Sequence, residues 1–392
     1  MAGVPGPLAI AYLGDPNSIH LRRWAGWFAG RGHRVALLVP EGLAVEPGLA
    51  PEIAIRRFEA GGGHPLRGPG MLSSGKSVRR ALAAVRPEVL HVHHLTVHGF
   101  RAWTSGFHPY VVTVWGSDVL VTARKSRRAR LLARLALRSA DLVTGISAHV
   151  VEAAVELGAH ADRSRVLHFG VDTGLFAPGQ DPAALRARLG LKGRRVILSP
   201  RALAPNYRHD VVVDALERLP GDVALVMLDS SPEAAEAEAI RRRIADRGLL
   251  SRVIVAPAVP HRAMPDYYRL ADVVVSVPES DAGPITLVEA LAAGKPAVCS
   301  DLPPVREWLA GLDPACLVPI GDVAATAAAI GAVLERSASE RDALAGRGRR
   351  MVLERADQER NMAEMEVLYR RLAAGLPANA AAGGPDSGRE RR

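Results

Sequence analysis

Two carboxylates, Asp281 and Glu289, stand with seven residues between them in the run Asp281-Ala282-Gly283-Pro284-Ile285-Thr286-Leu287-Val288-Glu289-Ala290. The first lies in a glycine-containing loop. The second lies about a turn and a half into a helix that the pattern predicts over Thr286–Ala293. The apolar run before the loop, Leu270 to Val277, reads as a buried strand. Strand, glycine loop and helix is how a parallel sheet offers backbone N–H groups to an anion. A carboxylate at each end of such a turn accepts hydrogen bonds from sugar hydroxyls. The chemistry indicated is the binding of a ligand that carries both phosphate and polyol. An ordinary βα turn, with Glu289 as a solvated helix charge, fits the spacing equally well.

Other residues are candidates for contact rather than bond-making. His91, His93 and His94 flank a strand end, with His98 one helical turn beyond. Alternation puts His91 and His93 on one face, and no carboxylate is near in sequence. That favours a substrate contact by His93 or His94 over a metal site, and favours neither over a plain structural role. The turn Trp115-Gly116-Ser117-Asp118 leaves a strand end. There Asp118 either meets ligand hydroxyls or caps the next helix, and Gly116 allows close backbone approach. Arg127, Arg130, Arg134 and Arg138, at spacings of 3, 4 and 4, form a stripe on one predicted helix, Arg127–Ser139. They are a solvated face or a grip for anionic headgroups. The loop Gly14-Asp15-Pro16-Asn17-Ser18 lacks G-x-G-x-x-G, which weighs against a dinucleotide oxidoreductase.

The elements that must position these groups alternate. Strands are predicted at Leu8–Leu13, His33–Val39, Ile53–Arg57, Val89–Val92, Tyr110–Trp115 and Asp141–Gly145. Helices are predicted at Ile19–Gly30, Ser74–Val85, Arg127–Ser139 and His149–Leu157. A second set starts at Val196–Ser199 and runs through Val223–Leu228, Val253–Ala256, Val273–Val277 and Ala297–Cys299, with helices between. Such alternation predicts α/β architecture with doubly wound parallel sheets, and 392 residues suit two domains. The expected boundaries are 1–175, a linker at 176–194, 195–356, a helix at 357–376 that returns to the first domain, and a disordered tail at 377–392. Gly61-Gly62-Gly63-His64-Pro65 reads as a mobile loop.

Composition narrows the class. Aromatics are 4% of the chain, too few for stacking-based nucleic-acid binding. Cys299 and Cys316 stand apart, with no zinc or disulfide spacing. No apolar run reaches membrane-spanning length, and a cytoplasmic location is expected. Residues 1–190 hold 23 Lys+Arg against 13 Asp+Glu, and residues 191–392 hold 27 against 28. The whole positive excess therefore sits in the first half, pointing to an anionic partner such as a membrane surface, with nucleic acid disfavoured.

In order and spacing, these motifs resemble the retaining glycosyltransferases of family 4 (glycosyl transferases group 1), which have the GT-B fold. The resemblance runs over about residues 8–372. It rests on Asp281-x7-Glu289 with Gly294-Lys295-Pro296, on Ser199-Pro200-Arg201, on Gly170-Val171-Asp172 with Phe176 and Pro178, on Val111 to Asp118, and on Arg31-Gly32-His33. It implies two Rossmann-like doubly wound domains facing a central cleft, with an acceptor in the first and a nucleotide sugar in the second. It also implies roles. Arg201 would stabilise the leaving phosphate, with Asp281 and Asp118 as its catalytic companions. Glu289 would bind the donor ribose, and Asp281, Ala282 and Gly283 the donor sugar. The N–H groups of Ile285, Thr286 and Leu287 would face the phosphates. His20, His93, Trp115 and Gly116 would touch acceptor or sugar. Neither a metal nor a cofactor is expected. The acceptor would be a glycan or lipid-linked precursor of an envelope polysaccharide, with the protein peripheral on the inner membrane face.

Three departures qualify the match. Asp281 stands where the family usually has Glu. Tyr207 stands where Lys is usual, so Arg208 or Asn206 is expected to compensate. Trp115 stands where His is frequent. A nucleotide-sugar epimerase on the same fold and a non-catalytic nucleotide-sugar-binding protein are the alternatives.

Overall fold

A computed structural model describes residues 6–60, 70–230 and 234–378. The Gly61–Pro65 insertion and the chain beyond 378, expected from the sequence to be mobile and disordered, lie outside the described residues. The chain forms two compact units. The first comprises the chain to Ile146, Val150–Leu167 and the chain from Met362. The second comprises Ser147–His149 and His168–Asn361.

The first unit is a seven-stranded parallel sheet in the order β3-β2-β1-β4-β5-β6-β7. Its strands are β1 (Ala9–Leu13), β2 (Arg34–Pro40), β3 (Ala54–Phe58), β4 (Val89–His93), β5 (Tyr110–Val114), β6 (Leu142–Gly145) and β7 (Ser164–Val166). Every residue of β1, β4 and β5 is buried. Burial on both faces is why β1 reads as an unbroken apolar run, while β4 and β5 enclose polar side chains, His91, His93 and Thr113. The helices are α1 (Ile19–Gly30), α2 (Gly70–Val85), α3 (Phe100–Ser105), α4 (Arg127–Ser139) and α5 (Ala148–Leu157). Helix α1 buries Leu21, Trp24, Ala25 and Phe28, an i, i+3, i+4, i+7 set. In α4 the Ser126 hydroxyl caps the helix by accepting the Ala129 N–H at 3.1 Å. Two single-turn π-helical segments, Leu95–Gly99 and Ser117–Val121, follow β4 and β5. Neither they nor α3 follow from the sequence pattern.

The second unit is a six-stranded parallel sheet in the order β10-β9-β8-β11-β12-β13. The strands are β8 (Arg195–Ser199), β9 (Val223–Asp229), β10 (Val253–Pro257), β11 (Val273–Ser276), β12 (Ala297–Ser300) and β13 (Leu317–Val318). Its helices are α6 (Ala183–Arg188), α7 (His209–Glu217), α8 (Ala234–Asp246), α9 (Met264–Leu270), α10 (Ile285–Ala292), α11 (Pro303–Leu309), α12 (Val323–Leu334) and α13 (Ala338–Arg355). Strands β8 and β11 pair in the register Val273↔Ile197 and Val274↔Leu198, so the chain segments leaving their carboxyl ends emerge side by side.

The segment just before the expected linker at 176–194 is tied to the chain around residue 357. Val171 donates to Ala356 O at 2.8 Å and accepts from Gln358 N at 3.0 Å. Gly170 has φ +81° and sits where a Cβ would lie 2.8 Å from Gln358 Cα, so the close crossing requires glycine there. The last helix, α14 (Gln358–Ala373), supplies Tyr369 to the first unit's core. Its hydroxyl bonds His91 Nδ1 and lies 3.3 Å from the Tyr12 hydroxyl. The end of the described chain is anchored as well: Arg371 donates to Pro377 O at 2.9 Å and Ala378 is buried.

Candidate functional site

In the second unit, Arg201 follows β8, while the loop 277–284 joins β11 to α10. The guanidinium of Arg201 lies 3.7 Å from Asp281 Oδ2 and 4.2 Å above the centre of the Tyr207 ring. Tyr207, which replaces the expected cation, thus gives Arg201 an aromatic support. The Asp281 carboxylate also accepts the Gly283 N–H at 3.1 Å. Burial pushes its pKa above the ordinary value, outweighing Arg201 and the Gly283 and Ala282 amides, which pull it down. Ala282 and Gly283 are half-buried in the same loop.

Glu289 is 8% exposed, on the first turns of α10. Its Oε2 accepts the Tyr268 hydroxyl at 2.7 Å, and Oε1 lies 3.0 Å from His261 Nε2. Burial first, and then the Glu289 charge, raise the Tyr268 pKa well above its usual value. The phenol therefore stays protonated and keeps donating. The two side chains that orient Glu289 come from α9 and the turn before it, 21 and 28 residues away. No local spacing rule would have found them. Each carboxylate oxygen retains a second lone pair for a ligand hydroxyl.

At the start of α10, the Ile285 N–H is spent on Gly283 O at 2.8 Å, which corrects its expected role as a phosphate donor. The first helical bond is Val288 N–H to Pro284 O at 3.1 Å. The amides of Thr286 and Leu287 precede it and have no acceptor within the helix. Arg208 also departs from expectation. Its fork grips Asp210 through Nε and Nη2, both at 3.0 Å, and Nη1 reaches Glu279 Oε1 at 3.0 Å. Two carboxylates already neutralise it, so it is a clasp for the loop rather than a spare phosphate cation. Asn206 shares that work. Its amide donates to Ser280 O at 3.0 Å and accepts from Ser280 N and Oγ at 3.2 and 3.0 Å.

In the first unit the named residues meet at the carboxyl ends of β1, β4 and β5. His20 stacks on Trp115 with ring centroids 4.5 Å apart, and His93 lies 5.6 Å from Trp115. Burial pushes the pKa of His20 down to about 4 and that of His93 down to about 3. Gly116 has φ +104°.

Asp118 does not face a ligand. It is fully buried, and its oxygens accept N–H groups from Leu95 (2.8 Å), Trp115 (3.1 Å), Gly116 (2.9 Å) and Val119 (3.1 Å). The catalytic role expected for it gives way to a structural one. It ties the two π-helical segments together, and with them His94, whose φ is +75°. Among the described residues no cluster of His, Cys, Asp and Glu is arranged to hold a metal ion.

Comparison with known proteins bears on both units. Residues 182–351 match the family described as glycosyl transferases group 1, and residues 18–170 match the glycosyl transferase 4-like domain. A D-inositol 3-phosphate glycosyltransferase from Acidothermus cellulolyticus is 28% identical over 373 residues, 84% of this chain and 80% of the relative. A putative teichuronic acid biosynthesis glycosyltransferase, TuaC, of Bacillus subtilis is 28% identical over 60% of each chain. Among solved structures, Anabaena HepE with UDP and glucose superposes with a TM-score of 0.75 at 20% identity, covering 93% of this chain and 100% of that one. The sucrose-phosphate synthase of Thermosynechococcus elongatus gives 0.75 at 21%, covering 93% and 99%.

Proposed function

The chain belongs to the group 1 glycosyltransferases and has the GT-B fold, and from that premise we propose that it moves a sugar from a nucleotide-sugar donor to an acceptor hydroxyl with retention at the anomeric carbon. The observation that carries this reading is the pairing of Arg201 with Asp281 where β8 and β11 end side by side, with Glu289 on the helix that follows the same loop. As the bond to the anomeric carbon breaks, negative charge grows on the departing phosphate oxygen. Arg201, propped on Tyr207, meets that charge with a planar fork. The Thr286 and Leu287 amides at the start of α10 add the favourable end of a helix dipole. These groups neutralise the leaving group without a metal ion. Glu289, oriented by Tyr268 and His261, accepts the ribose hydroxyls. Asp281, with Ala282 and Gly283, holds the donor sugar. The solved neighbour HepE is in complex with UDP and glucose, which supports a uridine nucleotide as the first donor to try.

The acceptor reading follows the first unit. Helix α4 leaves Arg127, Arg130, Arg134 and Arg138 exposed, with Leu131 55% exposed beside them. An anionic membrane surface suits such a face, each basic residue contributing about 1 kcal/mol near it. A lipid-linked or envelope-glycan acceptor and a peripheral cytoplasmic location complete the proposal. Among the described residues no helix is long and apolar enough to cross a membrane.

The test is incubation of the protein with UDP-, GDP- and ADP-sugars, with and without lipid and polyol acceptors, reading released nucleotide and product anomeric configuration by NMR. Acceptor-dependent release with retained configuration is expected. Isomerised donor without transfer would favour the epimerase, and nucleotide binding without turnover would favour the silent binder.

A further inference from the structure

The guanidinium of Arg201 makes no hydrogen bond among the described residues. Asp281 Oδ2, at 3.7 Å, is beyond hydrogen-bond reach, and Tyr207 touches only the flat face of the group. Its N–H donors are therefore unspent, as a phosphate ligand requires. The head is then held by the ring beneath it and by the backbone that carries it.

That backbone is Ser199-Pro200-Arg201-Ala202, the exit from β8. Pro200 has no N–H with which to fix itself. One imidazole spans the segment instead. His209, the first residue of α7, is 1% exposed. Its Nδ1 lies 3.2 Å from Ser199 Oγ, and its Nε2 lies 3.1 Å from Ala202 O. A carbonyl only accepts, so Nε2 carries the hydrogen and Nδ1 is left to accept the Ser199 hydroxyl. Burial agrees, holding the His209 pKa below its ordinary value although the Ala202 and Arg201 carbonyls and the Asp210 charge oppose it. The neutral ring thus spends both nitrogens on the residues that bracket Pro200 and Arg201. Ala202 O also accepts the Ala204 N–H at 2.8 Å, so this carbonyl is pinned twice.

The same turn supplies the aromatic support. Arg208, at φ +48°, reverses the chain between Tyr207 and His209, and its fork is tied to Asp210 and Glu279. From one anchored corner, Tyr207 meets the head of Arg201 and His209 meets its backbone.

We infer that His209 is the positioning residue of Arg201: by fixing Ser199 and Ala202 it sets where the unspent guanidinium meets the departing phosphate. His209 touches no substrate itself. An apolar side chain of similar bulk would fill its space and leave Pro200-Arg201 free to shift, and a misplacement of about 1 Å costs about 10²-fold in rate. The inference rests on the glycosyl-transfer reading for what Arg201 does, whereas the hold of His209 on the segment is independent of it.

A double-mutant cycle of His209→Leu with Arg201→Ala in the full chain tests it, reading kcat on the nucleotide sugar that the native chain uses, UDP affinity by calorimetry and the urea midpoint. His209→Leu should lower kcat about 10²-fold. It should change UDP affinity by less than about 10-fold, because the loss falls on the transition state. In the Arg201→Ala background the same substitution should cost less than about 3-fold, since nothing is left to position. His209→Gln, whose amide N–H₂ still reaches toward Ala202 O, should recover part of the kcat. Losses that multiply in the double variant would make His209 a general structural prop and overturn the inference. Native kcat in a folded His209→Leu variant would do the same. If His209→Leu fails to fold, Ser199→Ala takes its place in the cycle, with a smaller loss expected and multiplying losses again decisive against the idea. If the native chain binds UDP but turns over no nucleotide sugar, it is the glycosyl-transfer function that fails. The cycle is then read on the ratio of UDP to uridine affinity, where non-multiplying losses uphold the hold of His209 on Arg201 and multiplying ones overturn it.

Discussion

Arg201 touches Asp281 on one side and the Tyr207 ring on the other, and each contact has a measurable consequence. Arg201→Ala should lower kcat by about 10²–10³ while changing nucleotide affinity less, because its charge matters most as the phosphate departs. Near-native turnover would assign the leaving group to another cation. Asp281 is held above the usual carboxylate range by burial, with Arg201 opposing that shift. Arg201→Met should therefore raise it further, visible as a higher midpoint in a carboxyl ¹³C titration. Glu289→Ala should weaken nucleotide binding in calorimetry with the fold intact. Unchanged affinity would remove Glu289 from the donor site. The Asp281–Glu289 pair could be picked out in the sequence because strand, glycine loop and helix lie consecutively there, whereas Arg201, on a different strand, entered through the family resemblance. Tyr268 and His261 could not be, because only the folded packing of α9 brings them to Glu289.

Most elements could be read as well, and for the same reason: their apolar period is local. Ile19–Gly30 and Arg127–Ser139 are helices over those very residues. The π-helical segments could not be read, and the bond that joins the first to the second, Leu95 N–H to Asp118, spans 23 residues. Asp118 shows the difficulty. A cap, a substrate ligand and a loop tie call for the same residue after Trp-Gly-Ser, and only the positions of four backbone amides decide among them. Asparagine offers one acceptor oxygen and turns an N–H₂ toward donors. Asp118→Asn should thus cost about 1–3 kcal/mol, lowering the first unit's melting temperature while UDP binding in the second persists. Loss of activity with unchanged melting would restore a substrate role. For α4, vesicle co-sedimentation should rise with anionic lipid, fall with salt, and drop when Arg127, Arg130, Arg134 and Arg138 become glutamine. Equal recovery in the supernatant with neutral and anionic vesicles at low salt would dismiss the membrane.

Across the whole molecule, buried histidines make stability depend on pH. His20, His93 and His98 have folded pKa values pushed down to about 4, 3 and 3, against 6.5 when free. The unfolded chain therefore takes up protons first as pH falls. Stability is complete above about 6.5 and declines as pH drops from there toward 3. Urea midpoints at pH 7.5, 6.0 and 5.0 should fall in that order, and His93→Asn should shallow the slope. A flat profile would mean these imidazoles titrate freely. Sequence alone placed the histidines near a strand end. It had no means of showing that Tyr12, Trp24 and Tyr369 would enclose them, since Tyr369 arrives from the far end of the chain.

That arrival bears on how the protein is made. A ribosome releases the seven strands of the first sheet before the last helix exists, and everything from His168 to Asn361 must emerge in between. Until Tyr369 is delivered, His91, Tyr12 and Phe28 lack a partner they have in the finished core. The amino-terminal sheet stays short of these contacts until α14 has emerged, whereas the second unit can close as soon as its own segment is out. Nascent chains stalled before Met362 should thus be cut by protease within the first unit and resist within the second. Equal resistance of both would show that the early sheet closes without its last helix.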